Sequence, residues 1–287
     1  MEAGLLRIGE LSRRTGVTPE LLRAWERRYG LLQPTRSSGG LRLYGHDDLA
    51  RVQRMQQHLA DGLAAAEAAT LAAETGRPSE ALVFDPAAVR QELGSALEGF
   101  DEATAQTTLD SVLALATLDS VLADVLLPYL RELGDRWERG EVSVAQEHFA
   151  SAVLRGRLLG LARGWSRGLG PPALLACLPG EQHDLGLIAF GLALRSRGFR
   201  IAYLGADTPV ESVAGAAVVL EPAAVVLSVV DPAALQTYRA ELRALAKKHP
   251  TYVGGAGASE ADAKAIGATL LSGDPVEEAE RLTELAA

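Results

Sequence analysis

The chain has 287 residues, 48% of them hydrophobic and 23% charged, with a formal net charge of −9. At roughly 100–200 residues per domain this predicts two or three packed domains, and no apolar run approaches the ~20 residues of a membrane span, so no membrane partner is expected. Cys177 is the single cysteine, which excludes an internal disulfide, and Met1-Glu2-Ala3-Gly4 lacks the pattern of a secretory signal, so a reducing, cytoplasmic location is the expectation.

The charge is unevenly spread. Residues 1–58 carry 10 arginines against 6 carboxylates, whereas the remainder carries 18 basic and 31 acidic residues. A small basic head on an acidic body is what a nucleic-acid contact at one end looks like, and on charge alone chance clustering explains it as well.

In chain order, residues 8–15 and 19–29 read as two short helices. Gly16 stops the first, and Thr18-Pro19 supplies an N-cap and a first-turn proline for the second. Alternation from Pro34 to Tyr44 around Gly39-Gly40 reads as a β-hairpin. Helices are expected from Asp47 to Leu59 and from Leu63 to Thr75. Gly76-Arg77-Pro78-Ser79 is the expected linker. Residues 80–168 have apolar positions three and four apart and fit a four-helix bundle. The heptapeptide Thr-Leu-Asp-Ser-Val-Leu-Ala occurs at 108–114 and again at 117–123, as local similarity rather than a structural repeat. Beyond Gly168–Pro172, short apolar runs at 173–178, 200–204, 224–230, 251–253 and 268–271 alternate with helical stretches at 184–197, 209–220, 231–248, 258–266 and 275–286. That alternation predicts a parallel sheet covered on both faces, with a ligand crevice at the carboxyl ends of its strands.

The expected architecture is therefore multidomain α and α/β. Residues 1–78 form a winged helix-turn-helix, 79–168 a four-helix bundle and 169–287 a Rossmann-like, doubly wound parallel sheet. A groove-reading helix needs a basic, polar face and an apolar one. Leu21, Leu22 and Trp25 can turn inward, leaving Thr18, Arg23, Arg27 and Arg28 as candidate DNA contacts. Arg42 and Tyr44 of the hairpin are the candidate wing contacts, with packing the other reading of Tyr44. Ile8-Gly9-Glu10-Leu11, Thr15-Gly16-Val17, Leu22–Gly30 and Gly40-Leu41-Arg42-Leu43-Tyr44 resemble the MerR family of transcription regulators in order and spacing. The resemblance implies operator DNA as partner and at least a dimer for binding it.

In the C-terminal part, Glu181-Gln182-His183-Asp184-Leu185-Gly186 follows the first apolar run. A histidine at the end of a strand can reach a ligand, and a carboxylate two residues earlier can fix its tautomer. Read alone, that loop histidine is better taken as an ordinary surface residue. Ser228-Val229-Val230 and Gly254-Gly255 end the third and fourth runs and would line the same crevice. Together these segments resemble the cobalamin-binding module that carries Asp-x-His-x-x-Gly, Ser-x-Leu and Gly-Gly. The resemblance implies His183 as lower axial cobalt ligand, with Glu181, Gly186, Ser228, Val230, Gly254 and Gly255 around the cofactor. Glu181 replaces the usual Asp and Val230 the usual Leu.

Trp137, nine intervening residues, then Glu147-His148 resemble the helical cap of the CarH/LitR group of light-responsive regulators. Ser143 and Gln146 form a capping box just before. The resemblance implies adenosylcobalamin as cofactor, with Trp137, Glu147 and His148 over its upper face, and His148 as an upper cobalt ligand after photolysis. It implies a homo-oligomeric repressor, dimer or tetramer by state, and not an enzyme. Two other readings remain open here. One is a MerR-type regulator that senses B12 or a partner protein without light. The other is a corrinoid methyl-shuttle protein, against which the basic winged head speaks.

Overall fold

The computed structural model describes residues 6–36, 41–60, 63–74 and 85–285, and the chain divides into two compact units, Met1–Leu82 and Val83–Ala287. The expected wing tip at Gly39-Gly40 and the expected linker at 76–79 lie outside the described residues.

In the first unit, α1 (Ile8–Thr15) ends on Gly16 in the left-handed conformation, and α2 (Pro19–Tyr29) begins under the side chain of Thr18, which accepts from the Leu21 N–H. Two-residue strands β1 (Thr35–Arg36) and β2 (Arg42–Leu43) pair antiparallel. Helices α3 (His46–Ala60) and α4 (Ala65–Glu74) follow, within two residues of the bounds expected from sequence. Leu11, Val17, Leu22, Trp25, Leu31, Tyr44, Val52 and Met55 form one buried cluster, so the apolar faces of α1, α2 and α3 meet around the root of the hairpin. The arginine-bearing face of α2 stays outside.

The second unit opens with α5 (Pro86–Glu98) and α6 (Glu102–Leu115), capped by the side chains of Asp85 and Asp101. The third helix of the bundle is interrupted. It runs as α7 (Leu118–Ser120), a π segment over Val121–Leu126, and α8 (Leu127–Glu138). Pro128 is the cause. It has no N–H for the Asp124 carbonyl one turn back, and its ring crowds that carbonyl. The freed oxygen accepts from Arg90 of α5 instead. The fourth helix, α9 (Val144–Leu161), starts in the capping box of Ser143 and Gln146.

Five parallel strands follow: β3 (Pro172–Cys177), β4 (Arg200–Gly205), β5 (Ala224–Ser228), β6 (Thr251–Gly254) and β7 (Thr269–Leu271). Their order is β4-β3-β5-β6-β7, a doubly wound arrangement whose direction reverses between β3 and β5. On one face lie α10 (Leu185–Ser196) and α15 (Pro275–Leu285), sharing a continuous core with the four-helix bundle. On the other lie α11 (Val210–Leu220), α12 (Pro232–Thr237), α13 (Arg239–Ala246) and α14 (Glu260–Ile266). The helix expected over 231–248 is broken at Tyr238, whose ψ of 20° leaves the helical region. The strand expected over 224–230 stops at Ser228 because Val229 and Val230 turn to meet two neighbouring loops.

Candidate functional site

The head presents Thr18, Arg23, Arg27 and Arg28 on the exposed side of α2. Arg28 stacks over the Tyr29 ring. Tyr44 departs from expectation. It is fully buried, and its hydroxyl donates to Glu26 Oε2 at 2.9 Å. A phenol inside the core offers nothing to a phosphate, so Tyr44 is corrected from DNA contact to brace. Glu26, unmarked by the sequence reading, also pairs with Arg42 Nε at 3.0 Å. One half-buried carboxylate thus ties the wing to α2, and Arg42 keeps half its surface in solvent.

In the second unit, the crevice where the strand order reverses holds the loop between β3 and α10. Glu181 is buried and accepts three hydrogen bonds. The His183 N–H reaches Oε1 at 2.8 Å, the His183 ring Nδ1 reaches the same oxygen at 2.6 Å, and the Val230 N–H reaches Oε2 at 2.6 Å. Burial pushes the Glu181 carboxyl up, but the N–H and ring of His183 and the N–H of Val230 outweigh it and hold the group below the usual carboxylate range. A neutral imidazole facing this carboxylate carries its proton on Nδ1, which leaves the Nε2 lone pair free. The imidazole itself stands 77% exposed. Beneath it, Cys177 is buried, and burial, together with the nearby Asp184 and Glu181 carboxylates, pushes its thiol up to about 12.

Ser228 sits half-buried across the ladder from Cys177, and the Val230 side chain is partly exposed above it. Gly255 has a φ of +103°, and a Cβ there would fall 2.3 Å from the Val229 carbonyl oxygen. Gly257, which the sequence reading passed over, would meet the Val230 oxygen at the same distance. These glycines let the loop after β6 lie against the backbone after β5. At Gly254 a Cβ would crowd the Leu271 carbonyl, whereas at Gly186, on the first turn of α10, it would meet only open space.

Trp137 lies in the last turn of α8 and is 46% exposed, Glu147 ends the first turn of α9 and His148 follows it. Glu147 accepts from the Ser151 hydroxyl at 2.6 Å and lies 3.6 Å from His148 Nε2. Val144, exposed and not singled out from sequence, shares a face of α9 with His148, Ser151 and Arg155 at helical spacing. Arg155 in turn reaches the His183 loop: its Nη2 donates to the Gln182 carbonyl at 3.1 Å and lies 2.6 Å from Asp184 Oδ1. One face of α9 therefore runs from Val144 and His148 down to the residues that flank His183.

The model of MerR HTH family regulatory proteins matches residues 6–75, and two B12 binding domain models match residues 89–159 and 171–285. The chain is 35% identical over 266 residues to the HTH-type transcriptional repressor CarH of Myxococcus xanthus, across 88% of this chain and 89% of that one. It is 39% identical over 267 residues to the HTH-type transcriptional repressor CarA of the same organism, across 89% and 88%. The chain belongs to the B12-binding, MerR-type repressors that include CarH and CarA. The fold of this regulator also matches the Methanosarcina barkeri monomethylamine corrinoid protein, with a TM-score of 0.59 and 20% identity over 70% of this chain and 100% of that one.

The donor set of the regulator fits a corrinoid. Among the described residues, no group of three or more His, Cys, Asp or Glu is arranged to hold a bare metal ion. A bound corrinoid would draw a donor for its cobalt from the chain, and the His183 imidazole, its Nδ1 held by Glu181, would be that donor. Among the described residues, no helix is long and apolar enough to cross a membrane.

Proposed function

We propose that this regulator binds adenosylcobalamin, holds operator DNA as a dark-state oligomer and releases it in light. The observation that carries the cofactor part is the exposed imidazole of His183, held by Glu181 at the crevice where the strand order reverses. When bound, adenosylcobalamin supplies a cobalt–carbon bond that light breaks. The chain's own residues do the rest. Glu181 keeps the His183 proton on Nδ1 and leaves Nε2 for cobalt. Gly186, Ser228, Val230, Gly254 and Gly255 line the approach. Trp137 and Val144 give apolar cover above, with Glu147 and His148 beside them, and His148 is the candidate upper donor once the adenosyl group has gone. In the head, Arg23, Arg27 and Arg28 read the groove and Arg42 meets the flanking backbone.

Light and cofactor act on DNA affinity only through unequal binding to two states of the chain. The test is the absorption spectrum and mass in solution of the adenosylcobalamin-loaded chain, in the dark and after illumination, beside His183→Ala. The proposal requires a histidine-ligated spectrum that the variant loses, and a mass that changes with light in the wild type. An unaltered spectrum and photoproduct in His183→Ala would refute the axial role. A mass unchanged by light would favour a regulator that senses B12 without light.

A further inference from the structure

We infer that Arg155 is a positioning residue that couples the α9 cap to the cobalt-ligand loop. The inference rests on the reading of His183 as axial donor and extends it to how the two halves of the site communicate.

Three ion pairs among the described residues join the helical bundle to the sheet part: Arg131–Asp274, Asp119–Arg197 and Arg155–Asp184. The third differs in two ways. Its carboxylate is almost fully buried, at 5% side-chain exposure, whereas those of Asp274 and Asp119 are 17% and 34% exposed. It also brackets His183. The Arg155 N–H is aimed at the carbonyl of Gln182, the residue before, while its charge lies against the carboxylate of Asp184, the residue after. The second oxygen of Asp184 accepts from the Tyr203 hydroxyl, and Tyr203 packs edge-on against Trp165.

The chain of contacts is short. His148 and Arg155 are seven residues apart on one face of α9, about 10 Å along the axis. A displacement of the α9 N-terminus moves Arg155 with it, because a helix is a rigid element on this scale. Asp184 cannot lose Arg155 without leaving a buried charge held by one phenol. The loop therefore follows the helix, and the His183 ring rides on the loop. Glu181 fixes how the imidazole is oriented, and Arg155 fixes where its loop stands relative to the cap.

The test uses the full chain with two readouts. In cofactor-free protein, hydrogen exchange of the Glu181–Asp184 amides should quicken about tenfold or more in Arg155→Ala, the scale of one charged hydrogen bond. Arg131→Ala, which removes the pair at Asp274, should leave those amides as they are. In cobalamin-loaded protein, Arg155→Ala should shift the spectrum toward the histidine-free form. Arg155→Lys should restore most of both effects, since one ammonium can meet both oxygens. Asp184→Asn should reproduce Arg155→Ala, and the double variant should add little to either.

Arg155→Ala indistinguishable from Arg131→Ala in loop exchange and spectrum would overturn the inference. If instead His183→Ala itself keeps the wild-type spectrum, the axial reading fails, and the exchange comparison alone then decides whether Arg155 holds the loop.

Discussion

Replacing Glu181 with glutamine changes one atom and removes a charge that three donors share. Glutamine has a single acceptor. If its oxygen serves His183, its amide faces the Val230 N–H donor to donor; if it serves Val230, the His183 N–H and ring lose their acceptor. Hydrogen bonds to a charged group contribute about 1.5–3 kcal/mol, and a donor left unpaired costs about 1–3 kcal/mol. Because Val230 is partly exposed, water recovers some of the second term, so the net loss should be about 2–4 kcal/mol. For a unit of this size, 1 kcal/mol shifts the midpoint by roughly 2–4 °C, which predicts a fall of about 5–15 °C. Loss of the partner that orients a metal-bound imidazole weakens metal holding about 10–100-fold. Thermal unfolding of the cofactor-free chain and equilibrium dialysis against cobalamin read the two effects separately. A midpoint within about 2 °C of wild type together with unchanged cobalamin affinity would refute the reasoning, since the contacts that motivate it would then contribute nothing.

Arg42→Ala should weaken DNA binding about equally across sequences, lowering the slope of log affinity against log salt by about one; an unchanged slope would place Arg42 off the backbone. Gly255→Ala combines a positive φ with a collision at the Val229 carbonyl and should destabilise the second unit by about 2–4 kcal/mol, read by urea unfolding. Cys177 is buried with its thiol pushed up to about 12. It should therefore resist alkylation at pH 8–9 in the folded chain and react at once in denaturant; rapid labelling of the native chain would contradict the packing described for the loop.

The local elements were readable in the sequence where one residue fixes one geometry. Gly16, Thr18-Pro19 and the Ser143–Gln146 box mark helix ends by mechanisms that need no distant partner. The Glu181–His183 pair was readable for the same reason, as both members lie on one loop. What was not readable depends on contacts far apart in sequence. The repeated heptapeptide makes regular helix at 108–114, yet at 117–123 it supplies an N-cap, a turn of helix and the start of the π segment. The difference comes from Pro128 and Arg90, both outside the repeat. Tyr44 reads either as a wing contact or as a packed residue until Glu26, eighteen positions away, is seen to hold it inside. Gly257 and Arg155 likewise show their roles only against Val230 and the His183 loop.

The measurement closest to the central claim is binding of operator DNA, enriched from random sequence with the adenosylcobalamin-loaded chain, in the dark and after illumination, with methylcobalamin in parallel. The account predicts a tight complex with adenosylcobalamin in the dark that light abolishes, and a weaker response or none with methylcobalamin. Equal DNA binding in dark and light would contradict the light-responsive mechanism, and no DNA binding in any state would contradict the assignment as an operator-binding repressor.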